Sequence, residues 1–356
     1  MKLYTESFKK YSKIIEKFHS NDDQKSKSIY LNFEDSFGYL INPNLAGRFA
    51  FKYEGDKIDN FFVDMEKFLT ICQAYDFFEI DENLEFANGE DKFKLTAYNE
   101  TFDLLNFDTT DYTTITIASD VFEALRLAVQ FTGTNNIDSN YAGISMKEKR
   151  IISSDGYRVF ETNHSVDFPS IKLPDYVLRI ALIAESYGVN LLYKEDMESF
   201  FLSFDNNNFL VMAPTVESLL VPPVDEPFWV EGYNHATSFT VNKKELSDQM
   251  GFFKIFTSNL STDPISFKIE TENILILEAK GAEIAKRSIP IEDCSPEIVG
   301  ESFMVMRGLT ARALEAMPDE KIKIQFNPEQ EPNRLINIVG TATNNLHVVA
   351  VLLSED

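Results

Sequence analysis

The sequence has little cysteine, no long apolar run and few positive charges for its length. Only Cys72 and Cys294 among 356 residues are cysteines, and two thiols can form neither a disulfide framework nor a thiolate-rich metal site. They fit a reducing compartment, where cysteine serves as a small apolar side chain. No apolar run approaches the roughly 18 residues of a membrane span, and the first residues lack the apolar core of a signal peptide. We therefore expect a cytoplasmic protein with no membrane partner.

Positive charge is scarce. The chain has 33 Lys and Arg against 57 Asp and Glu, a formal net charge of −24. This balance excludes a protein whose whole surface binds nucleic acid or an anionic membrane, because both partners need a basic footprint. It allows a small basic surface inside an acidic body. The hydrophobic fraction of 44%, with 31 Phe and 14 Tyr, indicates packed cores rather than disorder.

Patterns that carry catalytic or cofactor chemistry are missing from the sequence. There is no glycine-rich phosphate loop, no Gly-x-Ser-x-Gly elbow and no His-Glu-x-x-His. The four histidines have no ligand spacing, and the acidic clusters lack the spacing of a calcium loop. We therefore assign no catalytic residue, no metal ligand and no cofactor. A catalytic carboxylate pair cannot be picked out of 57 acids without the fold, so an α+β enzyme stays open as a third interpretation.

Three segments share one order of elements, which indicates an internal repeat. Each begins with a short strand that runs into an amphipathic helix, and Ser119 and Asn242 are plausible N-caps. The predicted helices are 6–18, 119–132 and 243–257. A second helix follows in each segment, at 64–75, 174–186 and 306–317. Groups of alternating strands come next, at 84–87, 92–98 and 102–107, then 189–194, 198–204 and 208–213, then 321–326, 334–340 and 346–353.

The repeat predicts three α+β domains over residues 1–110, 111–235 and 236–356, each with two helices packed on antiparallel sheets. The stretch Pro222–Pro227 is a stiff connector between the second and third domains. Charge is unevenly distributed over these elements. The six predicted helices carry a net charge of about +1, so the strands and loops carry about −25. If the helices share one surface, that surface is nearly neutral or mildly basic. Three unrelated strand-rich stretches remain the alternative to a repeat.

The sharpest local motif is a hairpin at 151–160, Ile-Ile-Ser-Ser-Asp-Gly-Tyr-Arg-Val-Phe, in which an Asp-Gly turn joins two strands. It is similar to the Thr-Asp-Gly-His-Arg-Leu hairpin of the bacterial DNA polymerase III beta subunit, the sliding clamp. Segment 140–144 resembles the strand before that hairpin, 239–246 the opening of the family's third domain, and 347–352 its last strand. The chain departs from the family at Tyr157, which replaces His, and at Ala350-Val351, which replace Met-Pro.

The resemblance implies a diverged, phage-encoded or bacterial clamp that is not an enzyme. Two three-domain subunits would join head to tail in a ring, with helices around a central hole and sheets outside. The ring would encircle double-stranded DNA, be opened by an ATP-dependent clamp loader and tether the replicative DNA polymerase. A runner-up interpretation is a non-enzymatic acidic protein, such as a phage structural protein or a DNA mimic.

Site residues follow from the helix charges and from the resemblance. The candidates that face DNA are Lys9, Lys10, Lys13, Lys17, Lys25, Lys27, Arg126, Arg179, Lys243, Lys244, Lys254, Arg307 and Arg312. The resemblance implies a groove for partner peptides at Tyr141, Ser154, Gly156, Tyr157, Arg158, Val159, Pro222, Pro223, Val348 and Ala350. It also implies a homodimer interface in which Phe93 and Leu95, on an edge strand over Asp91–Tyr98, meet Ile255 and Phe256 of the other subunit.

Overall fold

The computed structural model describes residues 1–20, 25–98, 105–133, 143–156, 158–194, 199–214, 237–257, 263–280, 284–328, 335–341 and 346–351. Over these residues the chain forms six α-helices and 24 β-strands, so the predicted α+β class is confirmed. The described residues form two compact units. Unit 1 is drawn from Met1–Ala118 and Tyr176–Val216, and unit 2 from Ser119–Asp175 and Glu217–Asp356. No helix within the described ranges is both long and apolar enough to cross a membrane.

The helices begin and end close to where the apolar spacing predicts. They are α1 (Glu6–Ile15), α2 (Met65–Ala74), α3 (Ser119–Ala128), α4 (Asp175–Ala184), α5 (Lys243–Phe253) and α6 (Arg307–Ala316). Short 3-10 helices are Glu16–Phe18, Lys25–Lys27, Val129–Phe131, Glu185–Tyr187 and Pro296–Ile298. Asn242 caps α5 as predicted, since its Oδ1 accepts a hydrogen bond from the Glu245 backbone N–H at 3.0 Å. The cap satisfies one of the N–H groups that a first helical turn leaves unpaired.

The strands are short, and most follow one another in antiparallel pairs. They are β1 (Lys2–Tyr4), β2 (Ser28–Asn32), β3 (Phe37–Asn42), β4 (Leu45–Ala50), β5 (Tyr53–Glu54), β6 (Phe61–Asp64), β7 (Phe77–Ile80), β8 (Glu85–Asn88), β9 (Asp91–Lys94), β10 (Ala97–Tyr98), β11 (Thr113–Thr116), β12 (Gly143–Ser154), β13 (Arg158–Pro174), β14 (Val189–Tyr193), β15 (Ser199–Phe204), β16 (Phe209–Pro214), β17 (Ser238–Asn242), β18 (Pro264–Thr271), β19 (Ile274–Lys280), β20 (Ile284–Pro290), β21 (Ser302–Met306), β22 (Lys321–Phe326), β23 (Leu335–Gly340) and β24 (Leu346–Val351).

Unit 1 contains a nine-stranded sheet of order β10-β6-β2-β3-β4-β16-β15-β14-β11 and a five-stranded sheet of order β5-β1-β7-β8-β9. One face of α1 is buried at the spacing of a single helical stripe, through Phe8, Tyr11, Ile14 and Ile15. The Phe8 ring centroid lies 5.3 Å from that of Phe49 and 4.9 Å from that of Phe68, both edge to face. Glycine at position 47 allows Phe18 to pack on β4, because a Cβ there would lie 2.7 Å from the Phe18 ring.

A second cluster of buried aromatic and apolar side chains lies in the nine-stranded sheet, apart from the Phe8 core. It joins residues of β2, β3, β6, β15 and β16 to Phe107, which lies between β10 and β11. The Arg48 guanidinium lies 5.3 Å from the Phe107 ring centroid and 4.3 Å from that of Phe37. All five residues of β2 are consequently buried. The segment around Phe107 therefore covers sheet residues that would otherwise meet water.

Unit 2 contains a six-stranded sheet of order β12-β13-β24-β23-β22-β17 and a four-stranded sheet of order β20-β19-β18-β21. Phe303 of β21 joins the two sheets, because its ring centroid lies 5.4 Å from that of Phe267 in β18 and 4.7 Å from that of Phe326 in β22. Helices α5 and α6 pack against each other. Elsewhere in unit 2, the Phe131 ring stacks on the Phe160 ring of β13, with 5.1 Å between the ring centroids.

Both larger sheets include strands from two of the predicted domains. Strand β4 pairs with β16 near the centre of the nine-stranded sheet, with Phe49 opposite Phe209. Strand β13 pairs with β24 in the six-stranded sheet. The two compact units therefore divide the predicted middle domain, because each sheet holds part of it together with a neighbouring domain. The three-domain boundaries stay a prediction.

Candidate functional sites

The Asp155-Gly156 turn is held by its own side chains. Ser154 Oγ accepts a hydrogen bond from the Gly156 N–H at 3.0 Å, and Asp155 Oδ1 accepts one from the Arg158 N–H at 2.8 Å. Gly156 has a φ of 84°, which is strained for residues with a side chain. Ser154 in the strand before the turn pairs with Val159 in the strand after it, which makes a tight antiparallel hairpin. The Asp-Gly hairpin predicted from the sequence is present.

The hairpin lies beside the last described strand, about 190 residues away in the sequence. Arg158 is paired with Ala350, Val159 with Val349 and Phe160 with Val348, through the antiparallel ladder of β13 and β24. The hairpin and the last strand both carry residues predicted to form the partner groove. These two segments are therefore neighbours in one sheet. Tyr141, Tyr157, Pro222 and Pro223 lie outside the described residues, as do the side chains of Val348 and Ala350.

Arg158 is buried rather than open to solvent, with an exposed fraction of 2%. Its Nε and Nη2 atoms donate to Asp155 Oδ2 at 2.8 and 2.6 Å. The guanidinium also lies 4.6 Å from the Phe131 ring centroid. The guanidinium is thus turned into the protein, and the place of Arg158 in the partner groove stays a prediction. Ser154 and Val159 are buried as well, and Gly156 is the exposed member among the groove candidates that the structure describes.

The predicted DNA-facing cations fall into two groups by exposure. Side chains that are exposed in the single chain belong to Lys10, Lys13, Lys17, Lys25, Arg126, Arg179, Lys244, Lys254 and Arg312. Lys9, Lys27 and Lys243 are half-buried. Arg307 is 7% exposed at the first position of α6, and a buried guanidinium cannot reach a phosphate. The prediction that Arg307 faces DNA therefore does not fit this structure.

Three of these lysines already bind acceptors within the chain. Lys9 Nζ lies 2.8 Å from Asp76 Oδ1, and Lys10 Nζ lies 2.6 Å from Asp205 Oδ2. Lys243 Nζ donates to the Met317 carbonyl at 2.7 Å, which satisfies an acceptor after the end of α6. These contacts were not predicted, because their acceptors are 67, 195 and 74 residues away in the sequence.

The predicted edge strand over Asp91–Tyr98 divides into two strands in different sheets. Strand β9 (Asp91–Lys94) is the outermost strand of the five-stranded sheet, and β10 (Ala97–Tyr98) pairs with β6 in the nine-stranded sheet. Phe93 and Leu95 are both half-buried. The Phe93 ring packs on Tyr75 at 5.3 Å between centroids. Strand β9 therefore presents an open backbone edge over the described residues.

Two of the large apolar side chains of unit 2 are highly exposed, one just after α5 and one in β20. Ile255 is 77% exposed, and Ile284 in the outermost strand β20 is 74% exposed. The ring of Phe256 lies 5.1 Å from that of Phe252, and the Arg287 guanidinium lies 4.3 Å from the Phe252 centroid. Ile284 was missed from the sequence, although it begins the alternating segment Ile-Ala-Lys-Arg-Ser-Ile.

The described residues hold no group of three or more His, Cys, Asp or Glu side chains arranged to bind a metal ion. His164 is 8% exposed. Burial lowers the pKa of its imidazole, and this effect outweighs the nearby Asp120 carboxylate, which raises it. The imidazole is therefore neutral at neutral pH. Its surroundings in β13 are those of a core histidine rather than of a ligand.

The fold matches solved structures of sliding clamps over its whole length. The DNA polymerase III subunit beta of Pseudomonas aeruginosa superposes with a TM-score of 0.81 at 12% identity, covering 99% of each chain. The chain has the fold of the sliding clamp. The Helicobacter pylori beta clamp bound to a DNA ligase peptide gives a TM-score of 0.74 at 18% identity, covering 99% of this chain and 100% of that one. The Bacillus subtilis sliding clamp gives 0.77 at 13%, covering 100% and 99%.

The clamp fold is kept with little sequence similarity. No family model matches the sequence, and no curated protein sequence does so either. Identities of 12 to 18% to clamps of solved structure fit a diverged chain, as the hairpin resemblance predicted. The likeness establishes the fold of the chain.

Proposed function

We propose that the chain is a DNA polymerase processivity factor, a sliding clamp that encircles double-stranded DNA and tethers a replicative polymerase. The observation that carries the proposal is the clamp fold over 99% of this chain and 99% of the Pseudomonas aeruginosa subunit, at a TM-score of 0.81. The clamp catalyses no reaction and works in the cytoplasm, or in that of the host if a phage encodes it.

The ring is a homodimer in which two open sheet edges pair. Strand β9 is one edge of the five-stranded sheet, and β20 is one edge of the four-stranded sheet. Pairing β9 of one subunit with β20 of the other is a heterologous contact, and two such contacts close a ring. The interface buries Phe93 and Leu95 against Ile255, Phe256 and Ile284. It thereby covers the two most exposed large apolar side chains of the described residues.

The hole holds DNA through weak contacts that do not depend on sequence. Exposed cations on the helices, among them Lys13 and Lys17 of the α1 segment, face the phosphates. The acidic strands and loops repel DNA from the outside, because about −25 of the net charge lies outside the predicted helices. Contacts to phosphate supply affinity without specificity, and they exchange as the ring slides.

The hairpin and β24 form one side of a groove for short peptides from the polymerase and from the ATP-dependent clamp loader. The Helicobacter pylori clamp of the same fold is bound to a DNA ligase peptide, which supports a peptide-binding role for this fold. Gly156 is exposed at the hairpin turn and lacks a side chain, so a peptide backbone can approach closely there. Tyr157 and Val348 are the proposed apolar contacts.

Retention on circular DNA tests the function. The protein is loaded onto a nicked plasmid circle by the clamp loader of the same genome with ATP, and the complex is isolated by gel filtration. We expect the protein to stay with the circle and to leave when a restriction enzyme linearises it. Linear DNA whose ends are blocked by streptavidin is the control, and it should retain the ring.

Two results would contradict the proposal. Equal retention on open linear DNA and on circles would show binding without encirclement. If the protein failed to bind DNA but bound a basic DNA-binding protein tightly, the result would favour a DNA mimic. The net charge of −24 is compatible with that role.

A further inference from the structure

We propose that Arg158 is a positioning residue, which ties the hairpin turn to helix α6 and so sets the shape of the partner groove without touching the peptide. The inference rests on the proposed function of the groove. It differs from the role implied by the clamp resemblance, in which Arg158 lines the pocket. Its basis is the set of contacts made by the guanidinium, all of them within unit 2.

The guanidinium of Arg158 binds three separate segments of the chain. Nε and Nη2 bind Asp155 Oδ2 in the turn, Nη1 donates to the Leu309 carbonyl at 3.2 Å, and Nη2 approaches the Gln130 carbonyl at 3.4 Å. The ring of Phe131 covers one face of the group at 4.6 Å. Leu309 lies in the first turn of α6, and Gln130 lies in the 3-10 helix after α3. The side chain therefore fixes the turn against both helices.

Only arginine can make this set of contacts. Its planar fork presents five N–H donors in fixed directions, whereas the lysine ammonium is a point charge on a flexible stem. With an exposed fraction of 2%, the charge has little access to water, and the Asp155 carboxylate compensates for it. A buried charge that loses its partner is strongly destabilising. The turn therefore has one favoured position relative to α6.

This tie reaches the groove through the backbone. Arg158 is the first residue of β13 and pairs with Ala350 of β24, and Val159 pairs with Val349. A shift of Arg158 would move the start of β13 and the exposed Gly156 beside it. Because Arg158 itself is buried, a peptide can sense it only through these neighbours. Its substitution should thus weaken every peptide to the same degree.

The test compares Arg158→Lys with Arg150→Lys. Arg150 joins β12 to β13, the two strands of the hairpin, since its Nε and Nη2 atoms lie 2.6 and 2.5 Å from Glu161 Oε1, but its side chain is 29% exposed. The probe is a fluorescein-labelled peptide from the C-terminal tail of the replicative polymerase of the same genome, with its alanine-scanned variants. We expect Arg158→Lys to weaken each peptide by about tenfold and uniformly, and Arg150→Lys to change affinity by less than about twofold.

A second measurement does not depend on any peptide. Amide hydrogen exchange of the unliganded dimer should show faster exchange at the Arg158 N–H and in the first turn of α6 in Arg158→Lys, and unchanged rates in Arg150→Lys. Asp155→Asn removes the charge of the other partner in the ion pair. It replaces Arg158→Lys in the exchange experiment if Arg158→Lys is poorly folded. The two substitutions combined should cost less than the sum of their separate effects, because they remove one shared interaction.

The outcomes separate this inference from the proposed function. If Arg158→Lys weakened the parent peptide but did not weaken one of its alanine variants, Arg158 would contact the residue replaced in that variant. This result would overturn the inference. Unchanged exchange and unchanged affinity in Arg158→Lys would overturn it as well. If the wild-type protein bound no peptide while exchange at the turn still rose in Arg158→Lys, the groove would be wrong and the tie to α6 would stand.

Discussion

Lys10 of α1 forms a salt bridge with Asp205, which follows 195 residues later in the turn after β15, with 2.6 Å between Nζ and Oδ2. The Tyr11 hydroxyl donates to the same oxygen, and the Tyr187 hydroxyl donates to the Lys10 carbonyl at 2.8 Å. Burial alone would raise the pKa of the Asp205 carboxyl. The hydrogen bonds from Lys10 and Tyr11, together with the charge of Lys10 and a hydrogen bond from Asn208, outweigh burial, and the pKa is lowered.

The first prediction concerns stability and pH. Because the pKa of Asp205 is lower in the folded chain than the usual value near 3.9, its ionised form stabilises the fold above that pH. This contribution is lost as pH falls through the folded-state pKa. Asp205→Asn should reduce the free energy of unfolding at pH 7 by about 1–2 kcal/mol, and the difference from wild type should shrink below about pH 4.

Urea unfolding at a series of pH values measures this effect. Asp76→Asn is the matched control, because Asp76 pairs with Lys9 of the same helix but is 94% exposed. Exposed ion pairs contribute little, so the control should unfold like wild type. A difference between Asp205→Asn and wild type that persisted unchanged at pH 3 would contradict the assignment.

The second prediction concerns DNA retention. Lys13→Glu with Lys17→Glu reverses two exposed charges on the α1 segment. We expect faster loss from nicked circles and a weaker dependence of retention on salt, since each phosphate contact contributes a slope of about 0.9. The lifetime on the circle between 50 and 200 mM salt is the measurement. The control is Lys57→Glu with Lys194→Glu, which changes the net charge by the same amount at positions outside the helices. Its lifetime on the circle should be at least as long as that of wild type.

The third prediction concerns the dimer. We expect a mass of about 81 kDa in solution, twice the 40.7 kDa of one chain. Ile284→Asp places a charge in the proposed interface and should shift the sedimenting species toward the monomer at micromolar concentration. Ile274→Asp is the control, because Ile274 lies in the same sheet and is 41% exposed, but is not in its edge strand. A wild-type monomer, or equal effects of both substitutions, would count against the β9–β20 interface.

The fourth prediction concerns the groove. Tyr157→Ala with Val348→Asp removes an aromatic contact and adds a charge at the proposed peptide site. The variant should lose binding of the polymerase tail peptide in fluorescence anisotropy while its sedimentation stays that of the dimer. If the peptide bound with unchanged affinity, the groove would lie elsewhere, even with the ring intact.

The sequence predicted the helices and the hairpin well, because both have local signals. One buried stripe defines α1, and an Asp-Gly pair defines the turn. Strand β2 was missed for a physical reason. All five of its residues are buried, so it lacks the alternation by which a half-buried strand is recognised. Residues 105–107 were predicted to continue a strand, but they form none, and Phe107 packs on the nine-stranded sheet instead.

The candidate site was predicted less completely, because its details depend on residues distant in sequence. Only the clamp resemblance placed the hairpin and the last strand at one groove, and the pairing of β13 with β24 was not predicted. The burial of Arg158 had no local signal, since arginine is rarely buried unless it is paired. One of its acceptors, the Leu309 carbonyl, is 151 residues away. The exposure of Ile284 likewise became visible only once β20 was found at a sheet edge.

The pairing of β4 with β16 limits how this gene can be cut and recombined. A fragment that ended at residue 110 would keep β4 but lose β16, and the middle of a nine-stranded sheet would become a bare edge. Such an edge is a template for aggregation. The predicted domains 1–110 and 111–235 therefore cannot be expressed or exchanged one at a time.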